Sequence, residues 1–132
     1  MSVAYVDTSA LVAIAFDEPG GEGLATELGG YERLVSSNLL EAEMLATFLR
    51  EGRGDEFQEY LSRFTWILPN RPLRAELRQV GRHGYLKGAD LWHLACALFL
   101  VRKPGDLTFV TLDVNQHGVA KKLGFSLTAM PR

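Results

Sequence analysis

Two short apolar runs, Val3-Ala-Tyr-Val6 and Leu107-Thr-Phe-Val-Thr111, are each followed within two residues by an aspartate and then by a helix-length segment. Runs this short, rich in β-branched and aromatic residues, suit strands, and strands joined by helices require crossover connections. That alternation builds a mostly parallel sheet covered by helices on both faces. The intervening sequence keeps the pattern. Ser9 to Phe16 and Glu22 to Leu28 read as helices separated by the breaker Asp17-Glu-Pro-Gly-Gly. Leu34-Val35 is a brief strand, and Asn38 caps a helix reaching about Arg50. Asp55 to Phe64 reads as helical, Thr65 to Leu68 as a strand, and Pro72 as the first residue of the next helix. Gly88-Ala-Asp90 opens a strongly apolar helix that closes before Pro104-Gly105. A helix from Asn115 to Leu123 and a strand from Phe125 to Leu127 complete the series. The expectation is an α/β fold in one domain over residues 1–132, with a parallel central sheet of about four to five strands flanked by helices.

A chain of 132 residues is long enough for one such domain, which buries about two-thirds of its unfolded surface. Met1 to Phe16 has no basic cluster and is interrupted by Asp7, so it does not read as a signal peptide. The apolar stretch Leu91 to Val101 falls short of the ~20 residues a membrane span needs. The single cysteine, Cys96, excludes an internal disulfide and reads as a small buried side chain. A cytoplasmic protein without membrane association is expected.

In open parallel sheets, ligands bind beyond the carboxyl ends of the strands, where the strand order reverses. Asp7 and Asp113 fall there by position. Each is also a good helix N-cap; for Asp113 capping alone accounts for the residue equally well, whereas beside Asp7 the neutral Thr8 and Ser9 would cap without burying a charge. Asp90 opens the apolar helix without a Glu or Gln three residues on, so no capping box forms. Helical spacing turns it toward core residues, where an acid needs a cation or a shifted pKa. His93 reads as a packed, hydrogen-bonded side chain, because no second histidine stands at ligand spacing. Between Glu41 and Glu43 periodicity does not decide: Leu40, Met44, Phe48, Leu45 and Leu49 cover a wide arc, with Glu41 inside it and Glu43 opposite.

Together these residues resemble the PIN-domain family and, within it, VapC-type toxins of type II toxin–antitoxin systems. Tyr5-Val-Asp-Thr-Ser-Ala-Leu-Val12 resembles the family's opening strand, acid and hydroxyl pair. Val35-Ser-Ser-Asn-Leu-Leu-Glu-Ala-Glu43 is similar to the second motif, where a serine precedes the acid by six residues, and it assigns that role to Glu43. Gly88-Ala-Asp90-Leu-Trp-His-Leu-Ala-Cys-Ala97 is similar to the third, and Phe109-Val-Thr-Leu-Asp113 with Val119-Ala120 and Leu123-Gly124 to the fourth. Each motif is weak alone; four in order along nearly the whole chain are a strong signal.

The resemblance implies a metal-dependent endoribonuclease that hydrolyses RNA phosphodiester bonds. Asp7, Asp90 and Asp113 would bind Mg²⁺ or Mn²⁺, and Glu43 would position a second metal or the attacking water. Thr8, Ser9 and Thr111 would orient the acids, and Asn115 stands where some relatives add a polar ligand. The implied partners are RNA, a cognate VapB-like antitoxin contacting Ser9 to Phe16 and Glu22 to Leu28, and a second copy in a homodimer. The alternative is a catalytically silent PIN-like module that binds RNA or protein. Aspartyl-phosphate hydrolases need a second acid where Ser9 stands, and receiver domains need paired acids after the first strand, so both fit poorly.

Arg71, Arg74, Arg78 and Arg82 lie within an arc of roughly 80° at helical spacing, with Lys87 just beyond. They form either an RNA track toward Asp90 or an ordinary solvated helix face. Trp92, Phe99 and Phe109 read as core, and Trp66 and Tyr85 as core or partly buried. The net charge of −2 taken alone speaks against a nucleic-acid partner, but it counts the site acids with the surface. Setting those four aside turns 16 acidic residues into 12 against 14 basic ones. That balance permits an RNA partner and disfavours a nonspecific polyanion binder.

Overall fold

The computed structural model describes residues 2–130, so Met1, Pro131 and Arg132 of the expected 1–132 domain lie outside the described residues. Five strands form one sheet: β1 (Val3–Val6), β2 (Arg33–Ser37), β3 (Phe64–Ile67), β4 (Thr108–Val110) and β5 (Ser126–Leu127). Their order is β3-β2-β1-β4-β5, and every neighbouring pair is parallel. The chain therefore winds outward from β1 to β3, then returns to β4 on the other side of β1. That reversal opens a switch point between the carboxyl ends of β1 and β4, which carry Asp7 and Asp113. Tyr5 pairs with Phe109 and Val6 with Val110 in this ladder, and the Asp7 N–H extends it to the Val110 carbonyl at 3.0 Å.

Strand side chains alternate between two cores. Ala4, Val6, Leu34 and Val110 meet α1 (Thr8–Ala15), α2 (Gly21–Leu28), α3 (Asn38–Arg50) and α4 (Phe57–Leu61). Tyr5, Val35, Ile67 and Phe109 meet α6 (Gly88–Leu100) and α7 (Val114–Leu123), with Val80 of α5 (Arg74–Gly81) in the same cluster. Right-handed crossovers require this division, because the two halves of the chain wind in opposite directions. Ala95, Cys96 and Ala97 are fully buried, and their small volume lets α6 lie close to the sheet. α7 ends at Gly124, whose φ of 96° suits glycine and whose N–H bonds the Ala120 and Lys121 carbonyls.

The sequence expectations for the outline hold, and several boundaries move. Phe64 belongs to β3 rather than to a helix, and Asp55 lies in a short 3-10 turn, Gly54–Glu56. Ser37, not Asn38, caps α3: β2 runs straight into the helix, and the Ser37 hydroxyl accepts from Leu39 N–H at 3.2 Å. Pro72 precedes α5 instead of opening it, because Leu73 is anchored in the core with a non-helical backbone. Among the described residues no helix is long and apolar enough to cross a membrane.

Candidate active site

Asp7 leaves the end of β1 and is 2% exposed. Its Oδ1 accepts from the Ala10 N–H at 3.0 Å and from the Ser9 hydroxyl at 2.8 Å, making it the N-cap of α1. Thr111, just past the end of β4, donates to Oδ2 at 2.5 Å. Burial pushes the Asp7 carboxyl up to about 6, although the hydrogen bonds from Thr111, Ala10 and Ser9 work against the rise. Asp7 thus caps a helix despite the available Thr8 and Ser9, and it does so as a buried acid.

Thr111 carries one proton and serves several neighbours. Its oxygen accepts from the Asp113 N–H at 3.0 Å and lies 3.2 Å from Gln116 Oε1. The shorter contact to Asp7 takes the proton. Asp113 caps α7 by accepting from the Gln116 N–H at 2.8 Å, and the Gln116 side chain donates to the Asp90 carbonyl at 3.2 Å. One buried amide therefore joins the third and fourth motifs. Asn115, the residue expected from the sequence, is exposed on α7; the neighbouring buried Gln116 makes these connections.

Glu43 extends from α3, and its Oε1 accepts from the Thr8 hydroxyl at 2.8 Å. His93 Nε2 lies 3.4 Å from the same oxygen. The His93 contact, with Thr8, holds the Glu43 carboxyl below the usual carboxylate range against partial burial. Glu43 is thus the residue tied to the other motifs, while Glu41 is not among these contacts. Periodicity does not separate the two because two bulky residues of its arc, Leu45 and Leu49, are exposed, leaving only Leu40, Met44 and Phe48 to define the buried face. Asp90 is in the first turn of α6, part-buried. Burial raises its carboxyl, and the charges of Asp113 and Glu43 raise it further, while His93 and Lys87 act the other way. Asp90 therefore shares an electrostatic field with two of the other acids.

Sharing a field is less than sharing a ligand. Among the described residues, no group of three or more His, Cys, Asp or Glu side chains stands close enough to hold a metal ion. In chemistry the four acids suit a hard divalent cation, since all their donors are oxygens. The nitrogens and sulfur nearby are otherwise engaged: His93 bonds Tyr5 and approaches Glu43, and Cys96 is buried with its thiol raised to about 12 by burial.

Of the basic stripe, Arg74, Arg78, Arg82 and Lys87 are exposed. Arg71 is exposed as well, but its guanidinium is held by both Glu76 oxygens, at 3.1 and 2.6 Å, over the Phe99 ring. Phe109 is buried, Trp92 and Phe99 are partly so, and Trp66 stacks on Phe64. Tyr85 departs from expectation at 87% exposed, because it lies in the loop before α6 rather than on a packed element.

The switch point of this parallel sheet thus carries a buried, hydroxyl-bonded acid, Asp7, with Asp113 beside it. The PIN domain family matches residues 4–122. This chain belongs to the PIN-domain family. It is also similar to a chain in the 2.2 Å structure of VapBC-1 from nontypeable Haemophilus influenzae, with a TM-score of 0.71 over 96% of each chain. At 16% identity that likeness concerns the fold alone. Comparison with curated proteins gives no significant match.

Proposed function

We propose that this protein is a metal-dependent endoribonuclease of the VapC type, hydrolysing RNA phosphodiester bonds with Mg²⁺ or Mn²⁺. The observation that carries the reading is the placement of Asp7 and Asp113 at the carboxyl ends of β1 and β4, joined through Thr111, with Glu43 bonded to Thr8 and Asp90 tied in through Gln116. Asp7, Asp90, Asp113 and Glu43 would hold the cation. Bound there, a divalent ion supplies Lewis acidity to the scissile phosphate and lowers the pKa of a water. The chain's own part is positioning: Ser9 and Thr111 fix Asp7, Thr8 fixes Glu43, and Gln116 ties Asp90 to Asp113.

The direct trial is cleavage of RNA by the purified protein with Mg²⁺ or Mn²⁺, then with EDTA. Metal-dependent cleavage is expected; cleavage that persists in EDTA would overturn the mechanism. A second reading, a silent PIN-like RNA- or protein-binding module, is favoured by one observation: no three-ligand group is assembled among the described residues. It predicts RNA or antitoxin binding with no cleavage at any metal concentration.

Arg74 and Arg78 project from α5 and Arg82 follows at its C-cap; the helix adjoins α6, which carries Asp90, and the three would lead RNA phosphates toward the acids. Replacing Arg74 and Arg78 by Glu is expected to weaken RNA binding and to reduce the log–log salt slope by roughly 1 to 2. An unchanged slope in a filter-binding titration removes the track. By the same reading, the partner is a VapB-like antitoxin covering α1 and α2, and the protein acts in the cytoplasm as a homodimer.

A further inference from the structure

His93 is 1% exposed, three residues beyond Asp90 and in the apolar part of α6. A buried imidazole needs partners for both ring nitrogens. Nδ1 lies 2.7 Å from the Tyr5 hydroxyl, and Nε2 faces Glu43 Oε1 at 3.4 Å and Thr8 Oγ1 at 3.3 Å. Which nitrogen holds a proton follows from the groups that each one faces. The Ser37 N–H reaches the phenol oxygen at 3.2 Å and can only donate. It occupies a lone pair, so the phenol proton is free to be donated to Nδ1. The Glu43 carboxylate can only accept, so a proton sits on Nε2, between Glu43 and Thr8, and Nδ1 takes the phenol proton.

The Tyr5 ring is held in place for this task. It stacks on Phe109 at 5.2 Å and 11° and meets the His93 ring edge-on at 5.7 Å and 77°. The same phenol bonds Ser37, the N-cap of the helix that carries Glu43. One chain of hydrogen bonds thus links β1, α3 and α6. Both donors to Glu43, Thr8 and His93, act on Oε1, which fixes the carboxylate plane and leaves the lone pairs of Oε2 for the site.

We infer that His93 is a positioning residue of the active site: the Tyr5 hydroxyl donates to Nδ1 and so fixes the ring, and Nε2–H orients Glu43. The inference rests on the nuclease reading above, and its test separates the two. Long-range ¹H–¹⁵N NMR of the metal-free full chain reads the His93 tautomer without reference to catalysis. An Nε2–H pattern is expected in the wild type and a tautomer mixture in Tyr5→Phe; an Nδ1–H pattern in the wild type overturns the proposal. In RNA cleavage, His93→Leu is expected to lower kcat by about 10- to 100-fold with little change in KM, as for loss of a partner that orients a ligand. His93→Gln keeps an N–H near the Nε2 position and is expected to recover most of that loss. A structural role alone gives equal loss in Leu and Gln variants, and that result also overturns it. If the wild type does not cleave RNA, the nuclease reading fails, while the tautomer and the Mn²⁺ affinity of Leu against Gln variants still decide the role of His93.

Discussion

Replacing Asp7 by Asn is expected to stabilise the metal-free protein at neutral pH while reducing RNA cleavage on the order of 100-fold or more. Both effects come from one buried charge. Asp7 is 2% exposed, and burial pushes its carboxyl up to about 6 from an ordinary value of 3.8. The folded state therefore binds the Asp7 proton more tightly than the unfolded state does. Its contribution to stability is largest below about pH 4, falls as pH rises between about 4 and about 6, and is level above. The upward shift corresponds to roughly 3 kcal/mol between those limits. Asn keeps an oxygen for the Ala10 N–H and the Ser9 hydroxyl and removes the charge, but its amide meets Thr111 as a donor. After that weaker bond, a gain of about 1–2 kcal/mol, or roughly 3–8 °C in Tm, is expected. Urea unfolding of wild type and Asp7→Asn from pH 4 to 8 measures it. A flat wild-type profile, or a variant less stable at pH 7.5, contradicts this account. A residue kept at a cost in stability is expected at a functional site, where activity and stability pull in opposite directions.

The architecture was legible because it is local. Each strand-like run and the helix after it lie within a few tens of residues, and the positions of Asp7 and Asp113 follow from the strand ends alone. What escaped depends on distant contacts. Tyr5 and His93 are 88 positions apart, and Thr111 and Asp7 are 104 apart, so no spacing rule joins them. A signal was nonetheless present: Tyr5 lies in an apolar strand and His93 in an apolar helix, and each needs a buried partner. Pairing two such isolated polar residues would have found the contact. Glu43 was supplied by motif resemblance and not by periodicity, since exposed Leu45 and Leu49 widened the apparent apolar face. Gln116 was missed beside Asn115 because adjacent helical positions differ by ~100°, and only packing tells which one turns inward.

Thr111→Val is expected to have the opposite effect on stability and the same effect on cleavage. Valine keeps the volume of this fully buried residue and removes its hydroxyl. Asp7 loses its 2.5 Å donor, and the Asp113 N–H loses its acceptor at 3.0 Å. A hydrogen bond to a charge together with an unpaired buried N–H costs about 3 kcal/mol, roughly 10 °C in Tm. Thr111→Ser, which keeps the hydroxyl, is expected to lose about 1 kcal/mol. If the Thr111 hydroxyl acts mainly on the charged Asp7, the deficit of Thr111→Val narrows as pH falls from 7 to 5 and Asp7 takes up its proton. The double variant Asp7→Asn/Thr111→Val should then be more stable than the sum of the single changes by over ~0.5 kcal/mol; additivity within that margin contradicts the coupling. Because one variant stabilises the fold and the other weakens it while both lose cleavage, instability cannot be the common cause. What the two variants share is the loss of a charged, correctly held Asp7 at the switch point between β1 and β4.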